Sequence, residues 1–349
     1  MTASQVTVDS LRAFVVRLLT GHGATPDEAA VFADALIWSD LVGHAGHGLW
    51  RLPTYLKRLR LGLIQSPCHP KWSKCGPAVE VLDGGAGFGQ YVAHTAMSRA
   101  IELARAAGAG VVGVRNSNHF GAAGYYAKLA TDQSMVGLAM SNAFRKVAPY
   151  GGIKPVFGTN ALAFGAPRRD EGAVLIDMAT ASIAGSAAIR LAAQGSLLPE
   201  GVAVDASGAP ITDPRGIREG ALLPFGGAKG SGIALMVEIL SSVITGGALS
   251  AEVASMFDDF ERAGGNSHFF VALDIARFIP LQSYYDRLEA LLALIRASRS
   301  GVDSNPVLIP GELRVEALQR ARRDGVHLDA EVARMLREMA AAEGIASPL

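Results

Sequence analysis

Two histidines in a short glycine-rich segment, residues 43–48, have the type and spacing needed for acid–base chemistry. His44 and His47 stand three residues apart, and the glycines around them let a small molecule approach the backbone. Arg51 follows one turn later, and an arginine can hold a carboxylate through two parallel hydrogen bonds. No third metal-ligating side chain stands nearby, so the pair does not predict a zinc site. The segment predicts a histidine acid or base beside a carboxylate-binding arginine.

Polar side chains also stand at the ends of β-branched and apolar runs that are typical of strands. His119 and Asn142 each follow such a run, Thr159 comes just before one, and Asp177 closes another. Loops at strand ends commonly carry binding and catalytic residues. These positions predict a ligand cleft, with His119 as a second acid–base candidate. A packing role for His119 at the start of a helix remains the alternative.

A glycine-rich segment around Lys229, residues 224–232, directly precedes an apolar helix. Glycines let backbone N–H groups converge, the start of a helix is electropositive, and the lysine adds a charge. The segment therefore predicts a phosphate-binding loop. It lacks the spacing of a Walker A loop, and a flexible turn with a solvated lysine remains the alternative.

A second glycine motif, residues 108–113, matches the dinucleotide-binding pattern G-x-G-x-x-G. That motif needs a strand first and a helix afterwards. Here a predicted helix ends at Ala107 and a strand begins at Val111, so a phosphate would face the negative end of a helix dipole. We interpret Gly108 as a helix C-cap, and the sequence does not predict a Rossmann fold.

Helical patterns at both chain ends surround an α/β centre that must position these residues. Asp9 is the predicted cap of a first amphipathic helix, and the capping box at residues 25–28 predicts a second. A third helix is predicted over residues 51–61. From about residue 77, short β-branched runs alternate with alanine-rich helices, and the chain returns to helix after Pro310.

This pattern predicts two structural regions of the α/β class. Residues 1–76 form a helical region that packs with the C-terminal helices of residues 305–349. Residues 77–304 form the α/β domain.

The composition excludes several classes of function. The 349 residues carry 32 basic and 32 acidic side chains, so no charge surplus favours nucleic acid or a membrane surface. No apolar run approaches the roughly 20 residues of a membrane span. The N-terminus lacks a signal-peptide pattern, which predicts a cytoplasmic protein. Cys68 and Cys75 are expected to be reduced surface thiols, with a disulfide as the alternative.

The chain resembles the malate/L-lactate dehydrogenase type 2 family, whose members include ureidoglycolate dehydrogenase and Δ1-piperideine-2-carboxylate reductase. The matching segments span nearly the whole chain in family order: GHAGHGLWRLPTYLKRLRLGLI, VRNSNHFGAAGYYA, VAPYGGIKPVFGTNALAFGAP, IDMAT, LPEGVAVDASGAPITDP, GALLPFGGAKGSGIALMVEILSSVITGG and IPGELR. The resemblance implies a non-Rossmann NAD(P)-binding domain with a mixed, largely antiparallel sheet. It also implies a helical domain made from both termini, and a homodimer.

The resemblance further implies an oxidoreductase that moves a hydride between a nicotinamide and the α-carbon of a small 2-oxo or 2-hydroxy acid. His47 and His119 would be catalytic and Arg51 would bind the substrate carboxylate, with Thr159 and Asn142 as further substrate contacts. The cofactor would be lined by His119, Phe120, Gly121, Asp177, Met178, Ala179, Lys229, Gly230, Gly311 and Glu312.

Three departures from the family pattern leave alternatives open. The family's serine before the catalytic histidine is Gly46 here, the aspartate of the piperideine branch is Ala187, and a serine usual after Asn142 is Ala143. A reductase of cyclic imino acids is therefore one alternative. A catalytically weakened nucleotide-binding or scaffold protein is another.

The cofactor is expected to be NAD or NADP, with NADP slightly favoured. Arg145 and Lys146 could meet a 2′-phosphate, although exposed basic pairs are usually only solvated. No metal, nucleic acid or membrane partner is expected.

Overall fold

The structure is a computed structural model that describes residues 4–169, 172–298 and 306–349. Its N-terminal elements are β1 (Ser4–Val6), α1 (Val8–Thr20), α2 (Pro26–Leu41) and α3 (Leu52–Arg60), with two 3₁₀ turns, Ala45–His47 and Leu49–Arg51, between α2 and α3.

The cap chemistry explains where the first helices begin. The predicted capping box of α2 is confirmed, because Thr25 accepts a hydrogen bond from the backbone of Glu28 and the Glu28 carboxylate accepts one from the backbone of Thr25. The predicted cap of α1 was wrong. Thr7 caps that helix by accepting from Ser10, and Asp9 lies inside the first turn, where its charge favours the helix dipole.

The central elements follow in chain order. They are β2 (Lys71–Gly76), β3 (Val79–Asp83), α4 (Gly89–Ala107), β4 (Ala109–Ser117), α5 (Ala123–Thr131), β5 (Met135–Ser141), β6 (Ala161–Pro167), β7 (Ala173–Met178), α6 (Gly185–Ala193), β8 (Ala203–Val204), β9 (Ala221–Leu222), α7 (Ala228–Glu238), β10 (Asn266–Asp274) and α8 (Leu281–Ala297). The C-terminal elements are α9 (Glu312–Asp324), β11 (Val326–Leu328) and α10 (Ala330–Glu343).

Seven strands form the central sheet, in the order β2-β3-β4-β10-β5-β6-β7. Only β3 and β4 pair in parallel, so the predicted mixed, largely antiparallel sheet is confirmed. The interpretation of the 108–113 motif also holds. Gly108 ends α4 in the left-handed conformation (φ 87°), and the chain passes directly into β4.

Two large apolar cores hold the molecule together. One lies between the sheet and the helices α4 and α5. The other joins α1, α2 and α3 to α10, and β1 pairs with β11 beside it. Leu336 of α10 is fully buried in this second core, a burial worth about 1.5–3 kcal/mol for a leucine. The two chain ends therefore pack against each other.

Strand β2 lies within residues 1–76 but joins the central sheet through β3. The division of the chain at residue 76 stays a prediction.

Both cysteines are free thiols, as expected, but only Cys75 is at the surface. Cys68 is buried next to Glu28, and burial raises the pKa of its thiol to about 12. Within the described residues, no helix is long and apolar enough to cross a membrane.

Candidate active site

The segment that carries the two histidines is fixed by Asp40, near the end of α2. The Asp40 carboxylate accepts a hydrogen bond of 2.8 Å from the backbone N–H of Leu49, at the start of the turn that carries Arg51. A Cβ at Gly48 would stand 2.0 Å from this carboxylate, so the close contact requires glycine there. Burial raises the pKa of Asp40 to about 7.

Arg51 is buried, with 6 % of its surface exposed. Its Nε donates to the Gly46 carbonyl at 2.6 Å, and Nη1 contacts Met256 Sδ at 3.5 Å. The rings of Trp50 and Phe257 lie 4.8 and 5.0 Å from the guanidinium carbon.

No carboxylate of the described residues forms an ion pair with Arg51. Burial of the unpaired charge lowers the pKa of Arg51 to about 10. Because a buried charge without a counter-ion is costly, an incoming carboxylate would be strongly favoured here.

Two further side chains complete the surroundings of Arg51. Tyr55, fully buried one turn along α3, shares a 2.6 Å hydrogen bond with His119 Nδ1. The His119 ring stacks parallel to the His47 ring, with centroids 5.7 Å apart. The structure thus brings His47, Arg51 and His119 together.

Both histidines are neutral near pH 7. Burial lowers the pKa of His47 well below 6.5, and the nearby Arg51 charge lowers it further. The same two causes lower the pKa of His119. His119 Nδ1 also lies 3.4 Å from the backbone N–H of Gly121, which donates to it. With Nδ1 accepting, the ring of His119 carries its proton on Nε2.

Asp177, at the end of β7, lies behind the histidine segment. Its carboxylate stands 3.3 Å from His44 Nδ1, and His44 Nε2 in turn stands 3.2 Å from His47 Nδ1. Arg314 donates to the same carboxylate at 2.9 Å and to the Asp177 carbonyl at 3.2 Å. Burial raises the pKa of Asp177, but His44 and Arg314 outweigh that effect and lower it to about 2. Asp177 is therefore ionised.

In the segment after β4, the backbone rather than the Phe120 side chain is accessible to a ligand. Phe120 is buried and stacks on His268 and Tyr126, with centroids 4.6 and 4.8 Å away, so its ring belongs to the core. Gly121 has φ +84°, and a Cβ there would meet only the end of Gln90 at 3.8 Å. The backbone around Gly121 is the part of this segment with room for a ligand.

The two polar substrate candidates have different surroundings. Asn142 is 1 % exposed, and its amide donates to Ser242 and to the Ala248 carbonyl while accepting from the backbone of Ser267. This amide braces the interior, and its hydrogen bonds are made to other parts of the protein than Arg51. The Thr159 carbonyl accepts from Thr180, and the Thr159 side chain remains available at the start of β6.

The loop before α7 meets the end of β7. The backbone of Phe225 donates to the Thr180 carbonyl at 3.0 Å, three residues beyond Asp177. Lys229 is exposed, and no described carboxylate pairs with it. A Cβ at Gly226 would meet nothing within 4 Å, whereas one at Gly230 would clash with the Phe225 carbonyl at 2.1 Å. An exposed lysine and open space at the start of a helix fit a phosphate group.

The C-terminal candidates run along β7. Gly311 has φ +101°, and a Cβ would stand 2.7 Å from the Ala173 carbonyl. Glu312 accepts from the backbone of Ile309 at 2.8 Å and pairs with Arg296, which is a capping role. The segment thereby carries Arg314 to Asp177. Met178 and Ala179 are half-buried where β7 ends.

The two basic residues predicted to meet a 2′-phosphate, Arg145 and Lys146, have different surroundings. Lys146 Nζ donates to the carbonyls of Ile217 and Arg218 at 2.6 and 3.0 Å, so it is occupied as the cap of a turn. Arg145 is exposed.

Three residues of this arrangement were missed in the sequence. Tyr55 had a signal, because it stands four positions after Arg51 on one helix face. Arg314 and Met256 had none, since each reaches the site from a distant part of the chain.

The fold is mixed α/β, and its candidate site places two neutral histidines beside a buried arginine. Residues 6–337 match the family described as Malate/L-lactate dehydrogenase, and the chain belongs to that family, as its motifs predicted.

Similar proteins cover from 70% to 99% of the chain. The malate dehydrogenase of Pyrococcus abyssi is 37% identical over 348 residues, covering 97% of this chain and 94% of the relative. A Δ1-pyrroline-2-carboxylate/Δ1-piperideine-2-carboxylate reductase of Pseudomonas syringae pv. tomato is 39% identical over 246 residues, covering 70% and 71%. The solved structure of malate dehydrogenase from Pyrococcus horikoshii superposes with a TM-score of 0.91 at 32% identity, covering 99% of this chain and 97% of that one.

Proposed function

We propose that this protein transfers a hydride between NAD(P) and the α-carbon of a small 2-hydroxy or 2-oxo carboxylic acid. One observation carries the proposal: Arg51 is buried beside His47 and His119 with no carboxylate partner among the described residues. A substrate carboxylate would supply the missing counter-ion and hold the α-carbon near both rings. Membership of the malate/L-lactate dehydrogenase family supports the same chemistry.

The two histidines suit different tasks on the substrate oxygen. His119 carries its proton on Nε2 because Tyr55 and the backbone of Gly121 occupy Nδ1, so it donates a hydrogen bond. His47 is neutral and half-buried, so it accepts the hydroxyl proton during oxidation and returns it during reduction. Binding of a carboxylate at Arg51 offsets the charge that disfavours protonation of His47.

The nicotinamide cofactor supplies or receives the hydride when bound. The exposed Lys229 and the open loop at Gly226 fit its phosphates, and the backbone at Gly121 and at the end of β7 fits the part nearest the histidines. NADP remains slightly favoured over NAD in this proposal, and Arg145 is the remaining exposed candidate for a 2′-phosphate.

The test is a panel of 2-oxo acids assayed by oxidation of NADH and NADPH. We expect turnover with at least one small 2-oxo acid, and a large fall in its kcat/KM in Arg51→Ala. Arg215→Ala, which removes an arginine that is 82% exposed, is the matched control. Cofactor binding without turnover across the panel would instead indicate the nucleotide-binding or scaffold alternative.

Reduction of a cyclic imino acid is the second candidate, favoured by the 39% identity to the Pseudomonas syringae reductase. An imine presents nitrogen rather than oxygen to the histidines, but its carboxylate would still require Arg51. Adding Δ1-piperideine-2-carboxylate to the panel separates the two functions by their relative kcat/KM.

The protein is also proposed to be a homodimer, with residues 77–304 as the cofactor domain and the two termini as a helical domain. An exposed apolar stripe on α7 and on the π-helical turn that follows it, Ile239–Val243, supports self-association. Its members recur at helical spacing: Leu235, Met236, Ile239 and Val243.

A further inference from the structure

A line of three side chains runs from the interior to His47. His47 Nδ1 lies 3.2 Å from His44 Nε2, and His44 Nδ1 lies 3.3 Å from the carboxylate of Asp177. The Asp177 side chain is 4% exposed and the His44 side chain 29% exposed. The line is thus anchored in the interior and ends at the proposed acid–base residue.

We propose that His44 and Asp177 are positioning residues that fix the tautomer and orientation of His47, and so make His47 rather than His119 the base. The proposal rests on the proposed function for its catalytic consequence. Its structural content is independent of any substrate.

The direction of the hydrogen bond between His44 and His47 follows from the ionised end of the line. The 3.3 Å contact of His44 Nδ1 with Asp177 lacks hydrogen-bond geometry, but the negative charge favours a proton on that buried nitrogen and leaves a lone pair on Nε2. That lone pair accepts the Nδ1–H of His47. The remaining nitrogen of His47, Nε2, is left with a lone pair that can take a proton.

The surrounding residues keep Asp177 in place. Arg314 binds both its carboxylate and its carbonyl. A Cβ at Gly124 of α5 would stand 2.8 Å from the carboxylate, so the approach of Asp177 requires glycine there. Two separate elements, α5 and α9, are therefore shaped around this carboxylate.

The line of side chains also supplies an orienting group that the histidine segment itself does not provide at Gly46. Gly46 has no hydroxyl to orient His47, and its carbonyl is used by Arg51. His44 occupies the position from which an orienting group reaches His47 Nδ1. When His47 takes up a proton, the Asp177 carboxylate stabilises the new charge through His44, with no further proton transfer needed.

The charged and titratable groups facing His47 are Arg51, His119, His44 and Asp177. Of these, only Asp177 favours the protonated ring, and His44 stands between them. Removing His44 therefore leaves the repulsion by Arg51 in place and disconnects the stabilising carboxylate.

The first readout is the tautomer of His47, measured from ¹⁵N shifts of the imidazole nitrogens in ¹⁵N-histidine-labelled protein without substrate. We expect the Nδ1–H form in the wild type, and a mixture or the Nε2–H form in His44→Ala and in Asp177→Asn. His69→Ala, at an exposed loop position, is the matched control and should leave the signal unchanged. An unchanged His47 tautomer in both variants, with Tm near that of the wild type, would overturn the proposal.

The second readout compares the effect of each variant on kcat with its effect on KM and on the cofactor Kd. We expect kcat to fall at least about tenfold in His44→Ala and in Asp177→Asn, while KM for the 2-oxo acid and the cofactor Kd stay within about twofold. The double variant should cost no more than the worse single one, because the two residues act in series. Equal losses in KM and kcat with additive effects would mean a structural role only.

The two readouts separate the inference from the proposed function. A His47 tautomer that is fixed in the wild type and changes in His44→Ala, together with no turnover on any acid, would support the inference and contradict the proposed function. Turnover that survives His44→Ala with an unchanged His47 tautomer would support the proposed function and contradict the inference.

Discussion

At the scale of single residues, the site is organised around the positive charge of Arg51, which has no carboxylate partner in the part of the chain that the structure describes. Arg51 is buried against Met256 and two aromatic rings, and it lowers the pKa of both neighbouring histidines. The backbone N–H of Gly121 donates to Nδ1 of His119, so this ring donates from Nε2, and in the proposed mechanism His47 is the base. The proposed roles of two chemically identical side chains thus differ because their hydrogen-bond partners differ.

Replacing His47 by alanine is expected to lower kcat by about 10²–10⁴-fold, the usual range for losing a general acid or base. KM should change little, because Arg51 still holds the carboxylate. His69→Ala is again the control for loss of an exposed histidine. Steady-state kinetics on the best substrate of the panel measures both effects, and wild-type kcat in His47→Ala would exclude it as the base.

The pH profile of the same reaction provides a separate prediction. Since the pKa of His47 is lowered well below 6.5, the base stays unprotonated through the range in which an ordinary histidine titrates. We expect kcat/KM for hydroxy-acid oxidation to hold its value down to pH 6.5 and to fall only below it. A profile that declines between pH 8 and 7 would contradict this assignment.

At the scale of elements, the site depends on the conformation of the segment that connects α2 to α3. Asp40 caps the turn that carries Arg51, and Gly48 makes the contact possible. This arrangement was not visible in the sequence, because nothing in the spacing of Asp40 and Leu49 marks a cap across a non-helical segment. The capping box of α2 and the i, i+4 pair of Arg51 and Tyr55 are local patterns, which is why helices are easier to predict than the turns between them.

Asp40→Asn is expected to remove one pH-dependent contribution to stability. The folded-state pKa of about 7 lies above the ordinary 3.8, so this contribution is complete below pH 3.8 and is lost as pH rises to 7. Between those limits the free energy of unfolding of the wild type should fall relative to the variant, by up to about 1.4 kcal/mol per pH unit.

Chemical denaturation from pH 4 to 8 measures this difference. Asp27→Asn, at the exposed start of the same helix, is the control and should keep the pH dependence of the wild type. Parallel curves for Asp40→Asn and the wild type would refute the assignment.

At the scale of the whole molecule, the parts that could not be predicted are those set by long-range pairing. Strand β10 inserts between β4 and β5, and Arg314 reaches Asp177 across 137 positions. No local pattern encodes either contact. β2 escaped prediction because it is exposed along its whole length and lacks apolar alternation, and α8 because only Leu292 of its residues is buried. The resemblance to a family predicted the kind of sheet, which periodicity alone did not.

The exposed stripe on α7 makes the oligomeric state testable. Ile239→Glu places a charge in the middle of the stripe and is expected to shift the protein from dimer to monomer in light scattering, because a charge in an apolar interface loses its hydration. Lys154→Glu, at an exposed site outside the stripe, is the control. A wild type that is monomeric at assay concentrations would remove the homodimer from the account.

The binding of a substrate carboxylate by Arg51 is tested most directly by the substrate affinity of Arg51→Ala, measured beside its cofactor affinity. Loss of a charge-assisted contact of about 3 kcal/mol predicts that KM for the 2-oxo acid rises by about 10²-fold. The Kd for NAD(P)H should stay within about twofold, because Lys229 and the β7 end are untouched. An unchanged KM, or an equal loss of cofactor binding, would show that Arg51 does not hold the substrate carboxylate.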